Sequence, residues 1–247
     1  MNIIINEVEW VERMLLEHTF DCRPSEAIDR YARYLNKKGY SKEDMQRKIE
    51  EMLLRNDSGV SLQRWREKIK DAIRRSNRPL VELDGVTITK AEMDKINELD
   101  SVSLRKIAFT IVCLAKYCNA VRGDQSNWIF FDPNAIAPLA CISFSNDQLY
   151  SALGKLCDLG YINLSHMVSS HNIHVNIIDD SSEEVLVIDD FRNIGYQYLM
   201  YMGEDYIRCE LCGLVIRRTS GRQMYCKKCS ERMIMEKQQE RRKTAKI

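Results

Sequence analysis

The chain has 247 residues, enough for one or two domains with real cores and too many for a single minimal module. Its formal net charge is +1 with 30% charged residues, so any argument about charged partners rests on where the charge lies and not on its total. No apolar run approaches the roughly eighteen residues that suggest a membrane helix, and the opening "MNIIINEVEW" turns acidic too early for a signal peptide, so a cytoplasmic protein is expected.

Taken in chain order, "CRPSEAIDRYARYLNKKGYSKEDMQRKIEEMLL" predicts two helices separated at Gly39-Tyr40, the second capped by Ser41 with Asp44 at the capping-box position. The stretch "VSLQRWREKIKDAIRRSNR" predicts the most basic helix. Trp65, Ile69, Ala72 and Ile73 form its apolar stripe, while Arg64, Arg66, Lys68, Lys70, Arg74, Arg75 and Arg78 fill the rest. A solvated face explains such a helix, and so does contact with a phosphate backbone through Arg64, Lys68 and Arg75. "PLVELDGVTITKAEM" reads as a strand or hairpin with its turn at Asp84-Gly85, followed by a helix capped by Thr89 with Glu92 three residues on.

From Ser101 the apolar positions Leu104, Ile107, Ala108, Ile111, Leu114 and Ala115 recur at three and four residues and predict a core helix. Two short helices follow, one opened by Asp132-Pro133 and one capped by Ser145, in which Leu149, Leu153 and Leu156 face inward. "DLGYINL" breaks that helix at Gly160 and enters a strand. "NIHVNIID" alternates Ile173, Val175 and Ile177 against His174 and Asn176 as a second strand, with "SHMVSSH" as the connecting tip. His166, His171 and His174 share their spacing with no carboxylate or cysteine, so they read as surface polar residues. "DDSSEEVLVIDDFRNIGYQYLMYMG" begins as an acidic linker and continues as one strand and a helix. Its Tyr196, Tyr198 and Tyr201 read as core before they read as a base-stacking platform.

The chemistry concentrates in "RCELCGLVIRRTSGRQMYCKKCSERM", which holds four of the nine cysteines in two C-x-x-C pairs. Each pair offers two thiolates from one tight knuckle, and the thirteen intervening residues let the pairs converge on one ion, so Cys209, Cys212, Cys226 and Cys229 are the expected Zn2+ ligands. A redox pair is disfavoured because no βαβ pattern surrounds either C-x-x-C, and catalytic zinc because four thiolates close the coordination shell. Gly213 suits a knuckle, "LVIRRTSGRQMY" suits a hairpin turning at Ser220-Gly221, and "CSERMIMEKQQERRK" reads as a helix. Around the cysteines, Arg217, Arg218, Arg222, Lys227, Lys228, Arg241, Arg242, Lys243 and Lys246 make a phosphate-facing surface or, diluted by Glu231, Glu236 and Glu240, a solvated terminal helix. Cys22, Cys113, Cys118, Cys141 and Cys157 are expected as small buried hydrophobes.

Knuckle, hairpin and ligand-bearing helix resemble a treble-clef zinc finger over about forty residues. The "L-x-x-L…LGYI" run within three helices and a β-hairpin resembles the winged-helix domains of bacterial regulators and phage replication proteins over roughly residues 101 to 180. That resemblance implies that the second helix of the turn enters the major groove with Asn146, Gln148, Ser151 and Lys155 outward. Asp147 and Asp158 on the same helix weaken its phosphate attraction, which leaves a protein-contact role open. As a whole, through "LRKIAFTIVCLAKYCNAV", "IDDFRNIGYQYLMYMGEDYIRCELCG" and "RQMYCKKC", the chain resembles proteins of bacteriophages and mobile elements of low-GC Gram-positive bacteria.

The expected fold is mainly α with small β elements. A helical N-terminal domain spans 1–100, a winged-helix-like domain 101–180, a linker strand and helix 181–204, and a four-cysteine zinc finger with a basic helix 205–247. The expected function is a non-enzymatic, zinc-dependent nucleic-acid-binding regulator or replication/transcription accessory factor, because no P-loop, nucleophile-His-acid set or paired-carboxylate motif stands out. The alternative is a protein-interaction module that inhibits or redirects host machinery such as RNA polymerase or a defence complex. The partners implied are double-stranded DNA first, or a host protein complex in the bacterial cytoplasm, with no membrane. A homodimer is compatible with two half-sites, but no heptad run enforces it.

Overall fold

The computed structural model describes residues 3–18, 20, 22–56, 61–165 and 172–244, with the side chains of 239, 240 and 242–244 outside the description. The chain divides into two compact units, Asn2–Asp84 and Gly85–Ile247. It is mainly helical, with small antiparallel sheets and a C-terminal cluster of four cysteines. Among the described residues no helix is long and apolar enough to cross a membrane.

The first unit is helical. α1 (Glu7–Glu17) starts at Asn6, whose side chain accepts from the Glu9 amide at 3.1 Å; α2 (Pro24–Lys37) opens on a proline; α3 (Lys42–Asn56) and α4 (Leu62–Arg74) follow. The α2–α3 turn falls where the sequence places it. Gly39 takes φ +81°, and Ser41 Oγ accepts from the Asp44 amide at 3.1 Å. Trp10 and Met14 of α1 join Ile28, Leu35, Ile49, Leu53 and Ile69 in one apolar core. Beside that core sits a buried carboxylate. Arg30 Nε at 3.0 Å, both terminal nitrogens of Arg33 at 2.7 Å and the Val81 amide at 2.9 Å all donate to Glu7. Burial by itself raises the Glu7 pKa, but the Arg33 hydrogen bonds, the Val81 amide and the two guanidinium charges outweigh it and hold the group below its ordinary range.

The second unit runs β1 (Val86–Thr89), α5 (Lys90–Asn97), α6 (Val102–Arg122), β2 (Trp128–Ile129) and a 3-10 turn at Pro133–Ala135, then α7 (Ile136–Leu139) and α8 (Asn146–Asp158). It continues with β3 (Ile162–Leu164), β4 (Ile173–Val175), β5 (Glu184–Ile188), α9 (Ile194–Tyr201), β6 (Tyr206–Arg208), β7 (Val215–Arg217) and α10 (Lys227–Thr244). Of the strand or hairpin expected around Asp84-Gly85, the strand forms and the local hairpin does not. β1 pairs antiparallel with β5, Val86 opposite Ile188, because its β-branched residues find a partner strand nearly a hundred residues later. Thr89 then caps α5 through the expected capping box with Glu92.

α6 is the axis of this unit. Ser101 caps it at the Leu104 amide, and Gly123 ends it at φ +68°. The sequence suggests one apolar stripe, but burial extends around the helix and takes in Phe109, Val112, Cys113 and the polar Lys106, Thr110, Lys116 and Asn119. The buried Lys116 is satisfied by Glu92 at 2.9 Å, Asp180 at 2.8 Å and the Thr87 carbonyl at 2.8 Å.

Three strands form a sheet in the order β2-β4-β3, with Trp128 opposite His174 and His174 opposite Asn163. Ile129, Ile162, Ile173 and Val175 are buried, while Trp128, Asn163 and His174 alternate outward. The tip between β3 and β4, including His166 and His171, lies outside the described residues. Of the tyrosines read as core, Tyr198 is buried against Phe109 and donates to Asn97 at 2.7 Å, whereas Tyr196 is half-buried and Tyr201 exposed. Cys113 and Cys118 are buried as expected, but Cys22, Cys141 and Cys157 are only half-buried.

Candidate metal centre

Two elements deliver the four thiols. Cys209 and Cys212 occupy the turn that joins β6 to β7, and Cys226 and Cys229 lie just before and inside the first turn of α10. The hairpin is thus not the expected one turning at Ser220-Gly221. β7 pairs back onto β6, Tyr206 opposite Arg217, and residues Ser220 to Gln223 make a separate turn closed by the Gln223 amide on the Ser220 carbonyl. The knuckle works as the spacing demands. Gly213 takes φ +72°, its amide donates to the Cys209 carbonyl at 2.8 Å, and the Cys209 amide donates to Leu214.

The ligand atoms of Cys209, Cys212, Cys226 and Cys229 all lie within 4.8 Å of one another, and Cys209, Cys226 and Cys229 are buried. The sulfurs of Cys212 and Cys226 stand 3.8 Å apart. A disulfide needs about 2.05 Å. A tetrahedron with metal–sulfur bonds of about 2.3 Å has an edge of about 3.8 Å, so this donor set fits a four-coordinate thiolate site. Backbone amides already point at the sulfurs, from Cys226 to Cys209 Sγ at 3.3 Å and from Cys229 to Cys226 Sγ at 3.5 Å.

The thiol acidities follow from this crowding. At Cys209 burial opposes ionisation, but amide donors from Cys226, Cys212 and Leu211 overcome it and bring the thiol down to about 6. Burial and the neighbouring sulfurs push Cys229 up to about 12, and burial likewise raises Cys212. Fixed N–H dipoles thus favour a thiolate at Cys209, and a cation at the centre would favour thiolates at Cys212 and Cys229 as well.

A loop ahead of α9 supports the knuckle. Arg192 Nη2 donates to the Cys212 carbonyl at 2.6 Å, and Asn193 Nδ2 to the Val215 carbonyl at 3.0 Å. Neither residue was expected from the sequence, because their acceptors are backbone carbonyls that leave no side-chain signature.

The residues predicted to meet nucleic acid fall in three places. Arg64 and Lys68 are exposed on α4 and Arg75 is exposed at its C-cap, in the first unit; Arg75 Nε is engaged by the Asp71 carbonyl at 3.3 Å. In the finger, Arg217, Arg218, Arg222, Lys227 and Lys228 are exposed, but Arg218 lies 3.5 Å from Asp205 and Lys227 4.0 Å from Glu231. On α8, Asn146, Ser151 and Lys155 are exposed, as expected. Gln148 is exposed too, but its side-chain carbonyl accepts from the Ser145 amide at 2.9 Å and completes the helix cap, a role its S-x-x-Q spacing announces. The α8 surface also presents Tyr150, Asp147 and Asp158, so acids outnumber Lys155 on it. Arg242, Lys243 and Lys246 lie outside the described side chains, and His166 and His171 outside the described residues; the four cysteines are the one metal-competent cluster among the described residues, and His174 is not in it.

Compared with known proteins, the chain matches no family model, no curated protein and no solved structure.

Proposed function

We propose that this protein is a non-enzymatic, zinc-dependent nucleic-acid-binding accessory factor or regulator of phage or mobile-element type, with double-stranded DNA as its first partner. The observation that carries the reading is the succession α6, β2, α7, α8, β3, β4 together with the strand order β2-β4-β3. That order supports a winged helix-turn-helix across residues 101–180, with α8 as the helix offered to the major groove. Asn146, Ser151 and Lys155 supply its outward contacts. Arg217, Arg222 and Lys228 of the finger, together with Arg64, Lys68 and Arg75 of the basic helix, supply sequence-independent phosphate contacts. Zinc is the metal that four thiolates in a closed shell suit best, and it supplies folding free energy there.

A second reading is favoured by one specific feature. Asp147, Tyr150 and Asp158 give α8 an acidic and aromatic surface, which suits a host protein better than a phosphate backbone.

Fluorescence anisotropy of the zinc-loaded protein against random duplex DNA, single-stranded DNA and RNA across a salt series separates the two. The first reading expects affinity that falls steeply with salt, and Arg222→Ala and Lys228→Ala each reducing the log–log slope by about one. Absence of binding at low salt overturns it in favour of the protein-docking reading.

A further inference from the structure

α9 has two working faces. At its leading end the loop from Asp190 to Asn193 grips the first knuckle. Asp190 accepts from the Arg192 amide at 2.8 Å and from its guanidinium at 2.6 to 3.0 Å, which fixes the guanidinium where its Nη2 meets the Cys212 carbonyl. Asn193 adopts a left-handed conformation at φ +51°, from which its amide reaches the Val215 carbonyl. Both ends of the segment leaving the first ligand pair are therefore held from outside the finger. The buried Gln197 reinforces the grip by donating to the Asp190 carbonyl and accepting from Arg208 at 3.4 Å, and Tyr196 packs on Tyr206 with ring centroids 4.8 Å apart.

The other face of α9 meets the backbone that precedes α8. A Cβ on Gly195 would stand 1.9 Å from the Ala140 carbonyl oxygen, so helix and turn are in direct backbone contact. Lys106 crosses the same spot. Its Nζ donates to the Cys141 carbonyl at 2.8 Å and lies 5.4 Å from the Tyr196 ring centroid. Cys141 is itself held at φ +54°, an uncommon conformation for a side chain other than glycine. Residues 140 and 141 open the connection from α7 to α8, so whatever positions α9 positions that connection.

From this continuity we infer that Arg192 and Asn193 are outer-shell positioning residues of the metal centre, and that α9 makes the α7–α8 turn responsive to metal occupancy. The inference rests on the four cysteines binding a metal. The coupling is reciprocal. A metal that fixes residues 209–215 presents the Cys212 and Val215 carbonyls to the clamp, and a clamp that favours the fixed knuckle must raise metal affinity by the same factor. Loss of metal releases the knuckle, then the leading end of α9, then its contact with Ala140 and Cys141.

The test uses the full chain and zinc alone. Zinc affinity is measured by competition with a chromophoric chelator for the wild type, Arg192→Ala and Asp190→Asn, and amide exchange is followed with and without chelator. Arg192→Ala should weaken zinc binding about tenfold, with a smaller loss for Asp190→Asn, which keeps the guanidinium but releases its orientation. Chelating the wild type should deprotect 194–201 and 140–145 along with 206–229, and leave residues 22–56 unchanged. If the wild type binds no zinc, the metal reading itself fails. If it binds zinc and Arg192→Ala binds equally well, or if chelation deprotects 206–229 alone, the metal reading stands and this inference is overturned. Should Arg192→Ala not fold, the wild-type exchange pattern decides the matter without it.

Discussion

The N-terminal unit and the four-cysteine finger reach a fixed shape by different physics. In the former, α1 to α4 enclose Trp10, Met14, Ile28, Leu35, Ile49, Leu53 and Ile69, and a buried Glu7–Arg30–Arg33 cluster locks α1 onto α2. In the latter Cys209, Val215, Cys226 and Cys229 are buried, with Cys212, Leu214, Ile216 and Tyr225 partly covered beside the cysteines. Ordering a residue costs about 1–2 kcal/mol of backbone entropy, which such a small apolar cluster does not offset. The finger carries a four-cysteine cluster that could hold an ion, whereas the helical unit has apolar burial and one buried carboxylate. Each should fail under a perturbation that spares the other.

Chelation is the sharpest way to separate them. Structural zinc contributes on the order of 10 kcal/mol in small fingers, so a strong chelator, or Cys209→Ser or Cys226→Ser, should unfold residues 206–229 while amide protection in α2 and α3 persists. Metal content unchanged in both mutants would refute the ligand assignment. The converse perturbation is Glu7→Gln. It takes the Glu7 carboxylate from Arg30 and Arg33, whose side chains are only about one-tenth exposed and which keep Glu26 at 3.5 Å and Asp29 at 3.1 Å respectively. Breaking such a buried pair costs about 3–5 kcal/mol, read as a lower denaturation midpoint for the helical unit with zinc affinity unchanged; an equal loss of zinc affinity would mean that the two regions are not independent.

A smaller effect tests the packing of α9. Gly195→Ala forces a Cβ against the Ala140 carbonyl, and such overpacking costs about 1–3 kcal/mol. It should lower thermal stability of the second unit alone. Acid should act on both regions by separate protonations. Because the folded-state pKa of Glu7 is depressed, its contribution is present above the unfolded value of about 4.3 and is lost as pH falls through the folded one. Protons also compete with metal for the thiolates, so zinc release at a higher pH than the loss of helicity in α1 to α4 would sharpen the contrast. Coincident transitions would break it. The smallest effect is Ser41→Ala, which removes one cap on α3 and costs about 1 kcal/mol, measurable in the helical unit and absent from the finger.

Local rules made several parts of this molecule readable in advance. The cap at Ser41, the capping box at Thr89, the cap at Ser145, the proline opening after Asp132 and the glycine break at Gly160 each depend on residues within a turn of one another. The four-cysteine cluster was readable for the same reason, since two short C-x-x-C pairs carry their own geometry. Where a prediction was misplaced, a distant partner had intervened: β1 took β5 in place of a local turn, and β7 took β6 in place of the strand beyond Ser220-Gly221. Gln148 was read for what its amide could offer a base, yet the nearer Ser145 amide claims its carbonyl.

The sequence by itself thus determined the four-cysteine cluster and several helix caps, because those follow from spacing and from side chains acting on their own backbone. Tertiary structure alone decided what surrounds them. The Arg192 and Asn193 grip on the knuckle, the Gly195 contact with Ala140, the burial of Lys106 and Lys116, and the Glu7 cluster all join groups far apart in the chain. In several of these contacts the acceptor is a backbone carbonyl, a group every residue carries, and only the packing of one element on another selects which carbonyl is met.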